Sequence, residues 1–200
     1  MSTGLKYLPS YFDRTAQEAL IAAVEVAVAQ APFYTPVMPR SGRPFTVRMS
    51  NLGQLGWVSD RDGYRCQARH PETGELWPAI PDQVLALWRQ VADYPHDPEA
   101  CLVNHYCEGA KLGLHRDEDE KEFAAPVVSI SLGDTAIFRI GGTERSGKTE
   151  TLKLSSGDVL VMGGASRLRY HGIDRVLSGT STLLRQGGRL NLTVRRVTKP

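Results

Sequence analysis

The chain has 200 residues, 41% hydrophobic and 23% charged, with a formal net charge of +2. That size supports one domain with its own buried core, and the composition excludes a disordered or fibrous chain. No apolar run approaches the roughly 18 residues of a membrane-spanning helix, and Met1-Ser2-Thr3-Gly4 opens no signal peptide, so a cytoplasmic protein without a membrane partner is expected. Cys66, Cys101 and Cys107 form no Cys-x-x-Cys pair, which excludes a disulfide framework and a zinc knuckle. The net charge neither requires nor forbids nucleic acid, because phosphate binding needs only a local basic patch. Arg40, Arg43, Arg48, Arg61, Arg65 and Arg69 make the N-terminal half locally basic, or are simply solvated surface.

Residues 1–12 read as an arm or a first strand. Thr15-Ala16-Gln17-Glu18 fits a capping box, and Leu20, Ile21, Val24 and Val28 recur behind it with helical spacing. Pro32 ends that helix near Gln30. From Pro32 to Pro81 the chain is rich in Pro, Gly, Arg and aromatic residues. Phe45 to Met49 alternates like a strand, Gly53 and Gly56 bracket a turn, and Asp62-Gly63 precedes a strand from Tyr64 to Arg69. By itself this is a hairpin whose aromatics fill a small core, although short strands with exposed arginines would also suit a lid. Asp82 reads as the N-cap of a second helix with Val84, Leu85, Trp88 and Val91 on its apolar face. Strand-like runs then follow at 101–106, 127–132, 136–140, 151–154, 159–162, 168–172 and 190–197, separated by Gly-containing turns. Many short strands of this kind argue for a sandwich or jelly roll.

The chemistry concentrates in three places. His115-Arg116-Asp117 sets an imidazole and a carboxylate two apart, hence on one face of an extended segment. His171 lies further on, in Arg169-Tyr170-His171-Gly172. Two histidines and one carboxylate make a facial triad suited to non-haem Fe(II), whereas a structural metal site is usually closed by four protein ligands. Arg189-Leu190-Asn191-Leu192-Thr193-Val194-Arg195 places two arginines on one strand face, where each can grip a carboxylate in two bonds.

This ordered set resembles the AlkB-type Fe(II)/2-oxoglutarate-dependent dioxygenases. Asn104-His105-Tyr106, Gly109-Ala110-Lys111-Leu112, the acidic run to Glu120 and Ser166-Arg167-Leu168-Arg169-Tyr170-His171-Gly172-Ile173 extend the likeness from roughly Pro44 to Arg196, most of the chain. The resemblance implies an α+β, mostly β fold: a double-stranded β-helix (jelly roll) core with flanking helices and an N-terminal nucleotide-recognition lid. The chain is then a single domain over 1–200, with the lid at about 33–81 and the catalytic core at about 100–197. It implies Fe(II) on His115, Asp117 and His171, with 2-oxoglutarate and O2 as cosubstrates. Asn104, Tyr106, Arg189, Asn191 and Arg195 match the 2-oxoglutarate pocket. Trp57, Tyr64, Asp119 and Arg145 match the substrate side, Asp119 meeting an exocyclic amino group while Glu118 and Glu120 stay a solvated loop edge. The implied reaction is oxidative demethylation of bases such as 1-methyladenine and 3-methylcytosine in single-stranded DNA or in RNA, releasing formaldehyde, succinate and CO2, by a monomer. The same chemistry on tRNA or a protein side chain is the alternative among enzymes. A non-catalytic nucleic-acid-binding module, or a cupin-like metal protein that ignores 2-oxoglutarate, is the alternative outside that class. His105, Ile140 and Met162 depart from the arginine, phenylalanine and tryptophan of well-known bacterial members.

Overall fold

The computed structural model describes residues 4–200; Met1–Thr3, part of the expected arm, lie outside them. In chain order the elements are β1 (Leu5–Leu8), α1 (Arg14–Gln30), β2 (Arg48–Gly53), β3 (Gly56–Asp60), β4 (Gly63–Gln67), α2 (Asp82–Val91), β5 (Ala100–Tyr106) and β6 (Leu112–His115). They continue with β7 (Val127–Gly133), β8 (Thr135–Ile140), β9 (Glu150–Leu154), β10 (Val159–Met162), a 3-10 turn at Gly164–Ser166, β11 (His171–Leu177) and β12 (Arg189–Arg195).

The strands form a six-stranded sheet ordered β1-β10-β7-β12-β5-β2, a four-stranded sheet ordered β6-β11-β8-β9, and the separate hairpin β3-β4. Every pairing is antiparallel. The large sheet is buried on both faces, and its strands alternate accordingly. Cys101, Val103, Val128, Ile130, Leu132, Leu190, Leu192 and Val194 point outward to Leu20, Ile21 and Val24 of α1 and Val84, Leu87 and Trp88 of α2. Leu102, Tyr106, Val127, Leu160 and Met162 point the other way, to Phe138, Ile140, Leu154 and Ile173 of the smaller sheet. This is the jelly roll, braced on one side by two helices.

Two helix starts differ from the expectation. Asp13, not Thr15, caps α1: its carboxylate accepts from the Ala16 amide at 2.8 Å. Glu18 instead pairs with Arg14 at 2.6 Å, one turn back on the same exposed face, where such pairs contribute only about 0.3–0.5 kcal/mol. Pro81 stands at the N-cap of α2 without a side-chain cap, and Asp82 is the first helical residue, where its charge faces the positive end of the helix dipole. The segment expected as a strand from Leu168 also shifts. Arg167–Tyr170 turn after the 3-10 segment, and the strand begins at His171. Cys101 is buried in β5, whereas Cys107, just past its end, is exposed.

Just before β5, Glu99 fastens the chain end to the sheet. Its carboxylate accepts from the amides of Val197 and Thr198 at 2.9 and 2.7 Å and from the Thr198 hydroxyl at 2.6 Å. Arg196 lies 3.4 Å away. Burial by itself would raise the Glu99 carboxyl, but these hydrogen bonds and Arg196 outweigh it and hold the group below its ordinary value of 4.5. A depressed folded value stabilises the fold above the unfolded value and loses that contribution as pH falls through the folded one. Glu99→Gln is therefore expected to destabilise the protein by about 1–3 kcal/mol near neutrality. Urea melts of parent and variant should converge once pH drops below the folded Glu99 value.

Candidate metal centre

All twelve residues singled out above line one cavity of about 400 Å³ between the two large sheets. The metal-ligand candidates come from three places. His115 closes β6, His171 opens β11, and the two are direct cross-strand partners, with ring centroids 4.6 Å apart. Asp117 lies just beyond β6, in irregular chain. His115 Nε2 is 3.9 Å from Asp117 Oδ1, and His171 Nε2 is 3.8 Å from Asp117 Oδ2. The three donor atoms fall within 4.8 Å of one another.

Local hydrogen bonds set their chemistry. His115 Nδ1 lies 2.8 Å from the Gly113 carbonyl, and His171 Nδ1 lies 3.0 Å from the Arg169 carbonyl. A carbonyl can only accept, so each Nδ1 carries a proton, and in the neutral imidazole Nε2 is then left with the lone pair. Burial, reinforced by the neighbouring His115, pushes the His171 imidazole down to about 4; it is neutral at physiological pH. Burial would raise the Asp117 carboxyl, but Arg195 first, then His171 and His115, hold it well below the usual carboxylate range. Arg195 Nη2 donates to Asp117 Oδ1 at 2.9 Å, while the buried Oδ2 has no protein partner. One orphaned oxygen and two imidazole lone pairs converge, and this donor set fits a divalent ion of Fe(II) type with coordination positions to spare.

Gly172 lets the two histidine strands meet. A Cβ there would stand 2.5 Å from the Leu112 carbonyl oxygen and 2.8 Å from that of Gly113, closer than any real packing. These are backbone atoms of β6, so relief requires moving the strand that carries His115.

Behind the triad the floor of the cavity is polar because β12 is central. Its register sets Arg189 beside Tyr106, and Asn191 between Asn104 and Ser131. Arg189 is 1% exposed. Its Nη2 donates to Ser131 Oγ at 3.0 Å, while Nε and Nη1 have no partner. Burial pushes this guanidinium down against the opposing effect of Tyr106, and burial pushes the Tyr106 phenol up to about 12. A buried cation with two free N–H groups is costly unless an anion meets it. Asn191 Nδ2 donates to Ser129 Oγ at 2.8 Å and to the Ile130 carbonyl at 2.9 Å. Its Oδ1 accepts from Thr193 at 3.0 Å and from Asn104 at 3.3 Å.

At the mouth, Trp57 of β3 and Tyr64 of β4 stack with centroids 5.6 Å apart and planes 18° from parallel. Trp57 Nε1 donates to Asp119 Oδ2 at 2.7 Å. Asp119 and Arg145 are both exposed.

The sequence pattern of the 2OG-Fe(II) oxygenase superfamily matches residues 4–195. A relative from Caulobacter vibrioides (strain NA1000 / CB15N), an alpha-ketoglutarate-dependent dioxygenase AlkB homolog, is 50% identical over 96% of this chain and 87% of its own length. The chain belongs to the AlkB-type Fe(II)/2-oxoglutarate-dependent dioxygenases. The alpha-ketoglutarate-dependent dioxygenase AlkB of Escherichia coli (strain K12) is 43% identical, over 94% of this chain and 88% of its own length. The solved structure of OsALKBH1 superposes with a TM-score of 0.80 at 32% identity, covering 98% of this chain and 99% of that one. As an AlkB-type dioxygenase the chain uses Fe(II), 2-oxoglutarate and O2, and the orphaned groups of Asp117 and Arg189 are of the right kind for a metal ion and a carboxylate.

Several groups in or behind the cavity are not apparent from the sequence. Ser129 and Ser131 alternate with apolar residues in Val127-Val128-Ser129-Ile130-Ser131-Leu132, a period-two signal that marks one polar face. Glu120 is not a solvated loop edge: it is 4% exposed and lies 3.1 Å from Arg167 Nη2. Nothing in the run Asp117-Glu118-Asp119-Glu120 distinguishes it, because its partner sits far along the chain.

Gly172→Ala is expected to lower stability by about 1–3 kcal/mol through overpacking, and to weaken metal binding by displacing His115. Thermal melting together with a Mn(II) titration checks both effects. A melting drop with an unchanged Mn(II) affinity would detach Gly172 from the site.

Proposed function

We propose that the chain demethylates alkylated bases, such as 1-methyladenine and 3-methylcytosine, in single-stranded DNA or in RNA. The observation that carries this reading is the stacked Trp57–Tyr64 pair at the cavity mouth, with Asp119 hydrogen-bonded to the indole. A base that reacts inside a cavity must leave its stack and be held between flat faces. The indole of Trp57 on one side and the imidazole of His171 on the other offer such faces, and Asp119 is an acceptor suited to an exocyclic amino group. Arg145, at the rim, suits the phosphate backbone. The β3-β4 hairpin shares no ladder with either larger sheet, which suits it to act as a lid.

Iron and 2-oxoglutarate, when bound, supply the oxidising power that turns a substrate C–H into C–OH, with O2 consumed and succinate and CO2 released. The chain's own residues hold the reactants. His115, Asp117 and His171 would hold the ion, and Arg189, with Tyr106 beside it, would meet a carboxylate of 2-oxoglutarate. Asn104 and Asn191 would complete that pocket, and Arg195 anchors Asp117 beside it. When the hydroxylated carbon is an N-methyl group, the C–N bond breaks to give formaldehyde and the free base. No general base or nucleophile from the protein is required; positioning is the protein's contribution.

Formaldehyde release from single-stranded DNA carrying 1-methyladenine, with Fe(II), ascorbate and 2-oxoglutarate, tests the reading. Release is expected from the parent, none from Asp117→Ala, and a KM raised roughly fivefold or more in Trp57→Ala, given the approximately 1–3 kcal/mol that base–aromatic stacking supplies. Succinate without formaldehyde would keep the dioxygenase and remove methylated DNA as its target; a tRNA and peptide panel would then follow. Separately, Arg189→Met is expected to raise the KM for 2-oxoglutarate by at least about 30-fold, in line with the approximately 2–5 kcal/mol of a truncated buried charge pair. An unchanged KM would place the cosubstrate carboxylate elsewhere.

A further inference from the structure

Asp117 is the one metal-ligand candidate that no strand holds. β6 ends at His115 and β7 begins at Val127, so Asp117 lacks the ladder that fixes the two histidines. A ligand on irregular chain reaches a productive geometry only if neighbouring groups fix it. Two guanidiniums supply this from opposite ends of the residue. Arg195 Nη2 donates to the side-chain Oδ1 at 2.9 Å, and Arg167 Nη1 donates to the main-chain carbonyl at 2.7 Å. Arg167 is itself tied down, its Nε donating to the Ala125 carbonyl at 3.0 Å.

Glu120 joins these two cations. Its Oε2 accepts from Arg167 Nη2 at 3.1 Å, and its Oε1 lies 3.4 Å from Arg195 Nε, an ion contact without hydrogen-bond geometry. All four side chains are at most 7% exposed. The cluster therefore holds two positive and two negative charges in a dry site, and its formal charge is zero. Remove the Glu120 charge and an uncompensated cation remains directly behind the carboxylate that must bind a dication. In a low-dielectric interior that repulsion is weakly screened. Arg195 would also be left with Asp117 as its only carboxylate in the cluster, drawing electron density from a ligand oxygen.

We propose that Glu120 is a positioning residue for the metal: by bridging Arg167 and Arg195 it neutralises the charge behind Asp117 and fixes that ligand from both ends. This is a role distinct from substrate contact, because Glu120 is buried beneath the site and not at its mouth. It also differs from simply satisfying Arg167. If Glu120 only satisfied Arg167, and the Arg167 bond to the Asp117 carbonyl were dispensable, removing both partners together would restore the site.

The test uses the purified full chain, stripped of metal, and Mn(II) as a redox-stable probe. The Mn(II) dissociation constant is measured for the parent, Glu120→Gln, and the double variant Glu120→Gln with Arg167→Met; melting of the metal-free proteins is followed in parallel. Glu120→Gln is expected to weaken Mn(II) binding about 10- to 100-fold, the usual effect of losing an outer partner of a metal ligand. The double variant should stay weak while its metal-free melting returns toward the parent. A Glu120→Gln protein that binds Mn(II) within about twofold of the parent overturns the proposal. So does a double variant that regains parental affinity, which would reduce Glu120 to a counter-ion for Arg167. If Glu120→Gln alone fails to fold, the double variant decides between the same two results.

Discussion

The central place of β12 governs the site. It is hydrogen-bonded along its whole length to β5 on one side and β7 on the other, so it cannot slip or rotate without losing two ladders. Its side chains must then alternate strictly between the helix-covered face and the cavity. Leu190, Leu192 and Val194 take the first, and Arg189, Asn191, Thr193 and Arg195 take the second. A shift of one residue would drive two arginines into the apolar layer beneath α1 and α2, at a cost no nearby group could offset. Fold and site are thus specified by the same alternation.

Burying that many charges demands that each be met. Arg195 is met by Asp117 and Glu120, and Arg167 by Glu120 and two carbonyls. Arg189 is met only in part, by Ser131, and keeps two donors without partners. The contrast separates groups that complete the protein from groups that await a ligand. Asp117 shows both conditions in one carboxylate, with Oδ1 engaged and Oδ2 orphaned.

What could be read from the sequence follows from range. The Arg189-to-Arg195 alternation is a local fact, visible wherever a strand has period two; the His115/Asp117 spacing reads the same way, although the strand ends at His115 and Asp117 lies in irregular chain beyond it. The strand from 127 was readable for the same reason. Glu120 was not, since burial is decided by Arg167, which the fold brings back from 47 positions away. β6 went unrecognised because four residues including Gly113 show no alternation. Within the Pro- and Gly-rich stretch 32–81 the sequence shows short strands and turns but not their partners. It conceals that Arg48–Gly53 pairs with β5 as an edge of the large sheet while only the following hairpin stands apart. At α1, Asp13 and Thr15 both offer a capping oxygen, and the winner is set by where the chain turns, which no propensity distinguishes.

The hairpin has a consequence for how such a protein can change. β3 and β4 pair only with each other, and Trp57, Ser59 and Gln67 fasten them to Asn51, Tyr34, Val37 and Trp77 through individual hydrogen bonds. Substitutions on this hairpin, at Arg61 in its turn or at Tyr64 and Arg65 of β4, therefore leave the ladder under the candidate metal ligands untouched. The hairpin is joined to the sheet beneath it, and through Trp57 to Asp119, by single hydrogen bonds in place of a ladder, so its strands can be altered without a register change in either large sheet.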